Sequence, residues 1–226
     1  MMKAKHALAA LAAVTALVLA TAPAAAATPG EIYQRSYELE AAGGYVPAVE
    51  ALAELPAAEK KTYFFSLRRA WLLYLATDYK SSVAAYREAA ARAPKAAEPL
   101  LGLSLPLMAL RLWRDADKAL RDALVLAPGN YAGMSRLSWV LFNLGRHAEA
   151  EQAYRATLAL YPADIDMQSG LGWSLLKQGK SAEACAVFQT VVDVSPSHAS
   201  AVQGLTACGR EAECTTSQSP SLNCGS

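Results

Sequence analysis

Prolines at Pro94, Pro128, Pro162 and Pro196 fall at one unvarying interval, and leucines at Leu39, Leu73, Leu107, Leu141 and Leu175 keep the same interval. Two columns of small residues run in phase with them. One is Ser36, Ala70, Ser104, Ser138 and Gly172; the other is Ala48, Ser82, Ala116, Ala150 and Ala184. A column of large apolar residues follows: Leu52, Tyr86, Leu120, Tyr154 and Phe188. Composition alone does not keep several independent columns on one period. A chain written this way is a stack of equivalent units, each touching its neighbours.

Within one unit the pattern gives two helices of about a dozen residues joined by a short polar turn. The turns include Gly43-Gly44, Gly145-Arg-His and Gly179-Lys-Ser, where glycine supplies the left-handed residue that ends a helix. The small residue of the first helix faces the small residue of the second, so the two backbones approach closely. The large residue then fills the space toward the first helix of the next unit. Proline closes the unit because it cannot continue a helix. The chain is 54% apolar, much of it Ala and Leu, and has no Asn-Gly or Asp-Gly hairpin turn. That composition favours helices packed on helices.

The stretch Leu171-Gly-Trp-Ser-Leu-Leu-Lys-Gln-Gly-Lys-Ser-Ala-Glu-Ala, with Phe188 and Pro196 downstream, resembles a tetratricopeptide repeat. So does Leu137-Ser-Trp-Val-Leu-Phe-Asn-Leu-Gly-Arg-His-Ala-Glu-Ala, with Tyr154 and Pro162. On that family's frame the repeats are 29–62, 63–96, 97–130, 131–164 and 165–198. The family's Leu-Gly pair is Arg35-Ser36 in the first repeat and Arg69-Ala70 in the second, and Lys60 stands where the first repeat would have its proline. Pro106 falls inside the third repeat's first helix, where a kink is expected. The resemblance implies an all-α fold over 28–210: a right-handed superhelical solenoid of five helix-turn-helix repeats. A capping helix is expected at 198–208, covering the open end, and an irregular cysteine-containing tail at 211–226.

The resemblance also implies that the second, fifth, ninth and twelfth positions of each repeat face a concave groove. Here they include Tyr33, Tyr37, Phe64, Leu67, Trp71, Tyr74, Leu101, Leu105, Met108, Trp139, Phe142, Trp173 and Leu176. Such rings either form a binding strip or pack on each other between repeats, and the sequence leaves both open. Arg68, Arg136, Lys177 and Arg210 are placed at or beside the rim, suited to an acidic residue or a carboxylate, or else simply solvated. Trp113 shares the turn column with Tyr45 and Tyr79 and reads as structural.

No His/Cys, Ser/His/Asp or paired-carboxylate constellation stands out, and no phosphate-binding glycine loop. Asp164 and Asp166 read as helix-start acids, as do Asp115 and Asp117. The expectation is therefore a binding protein and not an enzyme, with no cofactor and no metal. Its partner would be a protein or peptide, such as a component of an envelope assembly; the alternative is a self-associating structural protein or a carrier of a nonpolar ligand.

Lys3 and Lys5 precede an uncharged stretch from Ala7 to Ala20, followed by Thr21-Ala-Pro-Ala-Ala-Ala-Ala27. This reads as a secretory signal over 1–27, cleaved after Ala27 or Ala26. Its apolar stretch is short of the ~20 residues a spanning helix needs. Export to a periplasm, or secretion, is expected, with no transmembrane segment in the mature chain. Cleavage leaves 19 Lys and Arg against 20 Asp and Glu, a net charge of −1 that attracts neither nucleic acid nor an anionic membrane. In an oxidising compartment, Cys185, Cys208, Cys214 and Cys224 favour disulfides. Antiparallel neighbouring helices put Cys185 beside Cys208. That leaves Cys214 with Cys224; the alternative is a buried free Cys185 with Cys208 paired into the tail.

Overall fold

The computed structural model describes residues 27–216, with side chains described through residue 209. Eleven α-helices and no strand occur among the described residues. They are α1 (Pro29–Ala41), α2 (Tyr45–Leu52), α3 (Tyr63–Leu75), α4 (Tyr79–Arg92), α5 (Glu98–Ala109), α6 (Trp113–Leu126), α7 (Tyr131–Asn143), α8 (His147–Leu160), α9 (Ile165–Leu176), α10 (Ser181–Val194) and α11 (Ala199–Thr216). The even-numbered helices begin at one constant interval, from Tyr45 through to Ser181, as the columns require. Each helix packs on the next, and α3, α5, α7, α9 and α11 also pack on one another in turn. The odd-numbered helices therefore share one face of the solenoid.

Local chemistry punctuates each unit. Thr28, Thr62, Asn130 and Asp164, in one column, accept hydrogen bonds from the backbone N–H groups of Glu31, Phe65, Gly133 and Met167. His198 continues the column, its Nδ1 accepting from the Ala201 N–H at 3.2 Å. The turn column is Gly43, Thr77, Arg111, Gly145 and Gly179, and all five have positive φ, from 56° to 77°. Two of these residues carry a side chain in the left-handed region, which is unfavourable for anything but glycine. Ala93, Ala127, Tyr161 and Ser195 precede the four periodic prolines and leave the helical region, with φ between −141° and −129°.

Packing follows the columns. The small residues of both series are buried, and those of the second are fully so. Ser82 Oγ donates to the Ala70 carbonyl at 2.8 Å, tying the two helices of its unit where they come closest. Tyr86, Leu120, Tyr154 and Phe188 are buried within one continuous core; Leu52 belongs to a smaller cluster at the N-terminal end. The rings reach across to glycines of the next unit: Tyr86 to Gly102, Tyr154 to Gly170 and Phe188 to Gly204. No side-chain atom would fit there; a Cβ at these glycines would lie 2.2–2.4 Å from the ring.

Two helix lengths depart from expectation, and α5 accommodates its internal proline. Helix α2 has only eight residues, not a dozen. Pro56 has no N–H to offer the Leu52 carbonyl and disfavours a helical Leu55; Leu55 turns into the core instead. Pro106 does not end α5, which continues to Ala109, and only the Gly102 carbonyl loses its helical donor. The last helix does not stop at Cys208. It runs to Thr216, because Gly209 costs a helix only about 1 kcal/mol and Arg210-Glu-Ala-Glu are good helix formers. Cys185 and Cys208 are disulfide-bonded with Cα atoms 5.7 Å apart, joining α10 to α11. The expected Cys214–Cys224 pair lies outside the described side chains.

Candidate ligand groove

The odd-numbered helices border a cavity of 980 Å³ in the N-terminal half of the solenoid. Tyr37, Phe64, Leu67, Trp71, Leu101 and Leu105 line it, together with Arg68 and Arg136. Tyr86 and Gly102 form part of the lining from the joint between the second and third repeats. A smaller cavity of 280 Å³ lies toward the C-terminal end, with Trp139, Phe142, Met167, Trp173, Ser169 and Ser200 among its residues. Tyr37, Phe64, Trp71 and Trp139 are all exposed, Trp139 at 47%.

The remaining expected groove residues sit differently. Tyr33 packs edge-on against Phe64 with ring centroids 4.8 Å apart. Tyr74 lies between Trp71 and Tyr79, 5.8 Å from each. Met108 is half-buried against the core. Trp173 is half-buried, edge-on to Phe188 at 5.4 Å, and its indole N–H donates to Ser200 Oγ at 2.9 Å. Leu176 is buried at 6% exposure; its helix α9 has α11 packed against it, so the open face ends there.

The arginines also differ from rim charges. Arg68 is 6% exposed and forms part of the groove floor. Its guanidinium sits 3.7 Å from the Tyr37 ring centroid, donates from Nε to Ser36 Oγ at 3.2 Å, and pairs through Nη1 with Glu40. Glu40 also accepts from the Trp71 indole at 2.6 Å. Arg136 is half-buried and donates from Nη1 to the Leu101 carbonyl at 2.8 Å and to Ser104 Oγ at 3.3 Å. Burial pulls its pKa down, and none of the described carboxylates pairs with it. Lys177 is exposed at the end of α9. Arg210 is on α11, beyond the described side chains.

Glu98 and Asp166 stand at the second position of their repeats, a groove column, but as acids and not as members of the apolar strip. Glu98 borders the larger cavity and accepts from the Tyr63 hydroxyl at 2.9 Å; burial and that bond push the Tyr63 phenol up to about 12. Asp166 and His198 border the smaller one, 3.0 Å apart. Both His198 nitrogens are engaged, by Asp166 and the Ala201 N–H, so this pair offers no free base to a neighbouring serine. Tyr86 and Tyr154 were legible only as packing residues, yet their rings border the two cavities.

Away from the groove, two ladders of ion pairs connect even-numbered helices. Arg87, Arg121 and Arg155 each reach the acid of the next repeat, Asp115, Glu149 and Glu183. Arg146–Asp117 and Lys180–Glu151, both 2.7 Å, form the second. Hydrogen bonds from Lys180, Gln178 and Arg155 outweigh desolvation and hold the Glu151 carboxyl down to about 2. Leu126, Leu160 and Val194 form an exposed apolar row, one at the end of each of α6, α8 and α10. No group of three or more His, Cys, Asp or Glu among the described residues is placed to hold a metal. No described helix is long and apolar enough to cross a membrane.

Two family models, both described as tetratricopeptide repeat, match residues 101–165 and 141–208. No curated protein matches the chain. Among solved structures, a MamA protein superposes with a TM-score of 0.68 at 17% identity, covering 73% of this chain and 90% of that one. MamA from Desulfovibrio magneticus RS-1, residues 41 to the end, gives 0.70 at 17%, covering 77% and 99%. YrrB, described as a TPR protein with an unusual peptide-binding site, gives 0.69 at 15%, covering 77% and 90%. At these identities the likeness is one of fold.

Proposed function

The chain belongs to the tetratricopeptide-repeat family, and from that premise we propose that it is an exported protein-interaction scaffold whose concave face docks a peptide segment of a protein partner. The observation that carries the reading is the exposure of Tyr37, Phe64, Trp71 and Trp139 along one open face, beside cavities of 980 and 280 Å³. Large rings left in water on a concave surface are anchors in search of a partner. The reading is one of binding and not of catalysis. Export is supported by the basic and apolar N-terminal sequence and by the disulfide between Cys185 and Cys208. A role in a bacterial envelope assembly fits that compartment.

A photo-reactive phenylalanine analogue at position 139, expressed in cells, tests the reading. Adducts with another protein are expected from position 139 and not from position 125, which is exposed on the far helix layer. Adducts from both positions alike, or from neither, would sink the groove. A self-adduct would favour the second reading, self-association, for which the Leu126, Leu160 and Val194 row provides apolar surface.

A further inference from the structure

The smaller cavity differs in character from the larger one. Four aromatic rings border it: Trp139 and Phe142 from α7, Tyr154 from α8 and Trp173 from α9. Arg68 and Arg136 border the larger cavity, whereas no lysine or arginine among the described residues borders the smaller. Its one carboxylate is Asp166, at the solvent edge with 80% of its side chain exposed. His198 engages Oδ1 of that carboxylate, and Oδ2 has no hydrogen-bond partner among the described residues. The Trp173 ring is anchored, its indole N–H donating to Ser200 Oγ at 2.9 Å, and Ser200 Oγ is itself 2.8 Å from Ser169 Oγ. Trp139 and Phe142 lie nearly parallel, at 14°.

The Tyr154 hydroxyl is an independent observation. Tyr154 is 2% exposed, yet its Oη makes no hydrogen bond among the described residues. Burial alone acts on the phenol and pushes its pKa up, so it is neutral. Oη would stand 2.7 Å from a Cβ at Gly170, and the Gly170 backbone also borders the cavity, so the hydroxyl lies where the joint meets the cavity. The joint does not need it. One repeat on, Phe188 fills the corresponding space against Gly204 with no hydroxyl at all. A buried hydroxyl without a partner costs free energy, and the fold gains nothing in return here.

We propose that the smaller cavity binds a small organic cation, a quaternary ammonium alcohol, whose charged head sits among Trp139, Phe142 and Trp173 and whose hydroxyl bonds to Tyr154 Oη. Aromatic faces attract cations, tryptophan most strongly, and quaternary ammonium ions suit such walls because they have no N–H to satisfy. Asp166 adds charge complementarity at the mouth and opposes ligands that carry a phosphate or carboxylate beside the nitrogen. The 280 Å³ volume falls just under the roughly 300–1,000 Å³ of pockets for drug-sized molecules, which sets the size of the ligand. The ligand is a free small molecule, so this inference goes beyond peptide docking and does not rest on it.

Isothermal titration calorimetry of the purified protein with choline provides the test. One saturable site is expected, with a Kd below about 1 mM. The neutral isostere of choline, in which a carbon replaces the nitrogen, should bind at least about tenfold more weakly, the worth of a cation–π contact. Glycine betaine and phosphocholine should also bind more weakly than choline. Trp139→Leu should weaken choline binding about tenfold. Tyr154→Phe should weaken it about fivefold, with the circular dichroism unchanged because Phe188 shows that the joint accepts a phenyl ring. The ligand comparisons need no variant and stand even if a variant fails to fold. Absence of a saturable choline site, or equal binding of the neutral isostere, overturns the cation site. Equal binding of phosphocholine overturns the part given to Asp166, and with it the choice of a free alcohol over a lipid headgroup. Wild-type affinity in a folded Tyr154→Phe variant overturns the hydroxyl contact. Photo-crosslinking at position 139 reports peptide docking separately, so failure of either reading leaves the other to stand on its own result.

Discussion

Gly102→Ala tests whether the inter-repeat joints work as described. Alanine favours a helix over glycine by about 1 kcal/mol, so propensity alone would stabilise α5. The structure reverses the sign. A Cβ on Gly102 would stand 2.2 Å from Tyr86 Cε1, 2.6 Å from Cζ and 2.9 Å from Oη. Carbon atoms in contact sit at about 3.5–4.0 Å, so the overlap exceeds about 1 Å. Tyr86 is 3% exposed, so moving its ring aside disturbs the packing that buries it. Overpacking of a core costs about 1–3 kcal/mol, and this overlap belongs at the upper end. The net expectation is a loss of about 1–2 kcal/mol, read as a lower urea midpoint by circular dichroism. The partner variant Tyr86→Leu empties the same space and should cost about 2 kcal/mol alone. Together the two should be less harmful than their sum by at least about 1 kcal/mol, because the leucine makes room for the methyl group. Strict additivity, or a stabilised Gly102→Ala, would refute the joint.

Thr77→Gly should stabilise the chain by about 0.5–1 kcal/mol, since the strain of a β-branched residue at φ 62° outweighs the entropy glycine adds to the unfolded chain; thermal unfolding of the single variant checks it. Cys185→Ser with Cys208→Ser should lower stability by roughly 3 kcal/mol on the loop-closure account of a 23-residue separation, and the same loss should follow reduction of the wild type. Glu151 has a folded pKa held down to about 2 against an ordinary value of 4.5, so its contribution is full above pH 4.5 and disappears as pH falls through 2. Urea midpoints from pH 5 to 2 should therefore fall less steeply for Glu151→Gln than for the wild type. Trp71→Ala and Trp139→Ala together should remove partner binding and keep the helical spectrum; a double variant that unfolds would return those rings to the core.

The fold was legible because its columns are one-dimensional. A residue that must be small, such as Ala150, or must be left-handed, such as Gly145, announces itself by position alone. The groove was legible only by register. Sequence spacing placed Trp71, Trp139 and Trp173 in one column, but it could not separate two exposed rings from one lodged against Phe188. That distinction depends on α11, which packs on α9 and supplies Ser200 to Trp173. The arginines show the same limit. Arg68 and Arg136 share a register, yet one is buried under Glu40 and the other faces an unpaired position. Their difference is written on the preceding odd-numbered helix, at Glu40 and Met108. The extent of α11 was not legible, because the polar residues after Gly209 read equally as a continuing helix or as an irregular tail.

The glycines that receive Tyr86, Tyr154 and Phe188 share one register with two arginines: Arg68, Gly102, Arg136, Gly170 and Gly204. Arginine follows the units whose large residue is Leu52 or Leu120, and glycine follows those whose large residue is a ring. Between Leu52 and Gly170 the smallest unit that can be spliced out without a mismatched seam is therefore a pair of repeats. Excising residues 63–130 would bring the unit of Leu52 to Arg136, a seam the chain already uses at Arg68. Excising only 97–130 would set the Tyr86 ring against Arg136, and excising only 63–96 would leave Leu52 facing the bare backbone of Gly102. The N-terminal part of the chain lengthens or shortens cleanly in steps of two repeats, whereas the last repeat, 165–198, could leave alone, since Tyr154 would then meet Gly204.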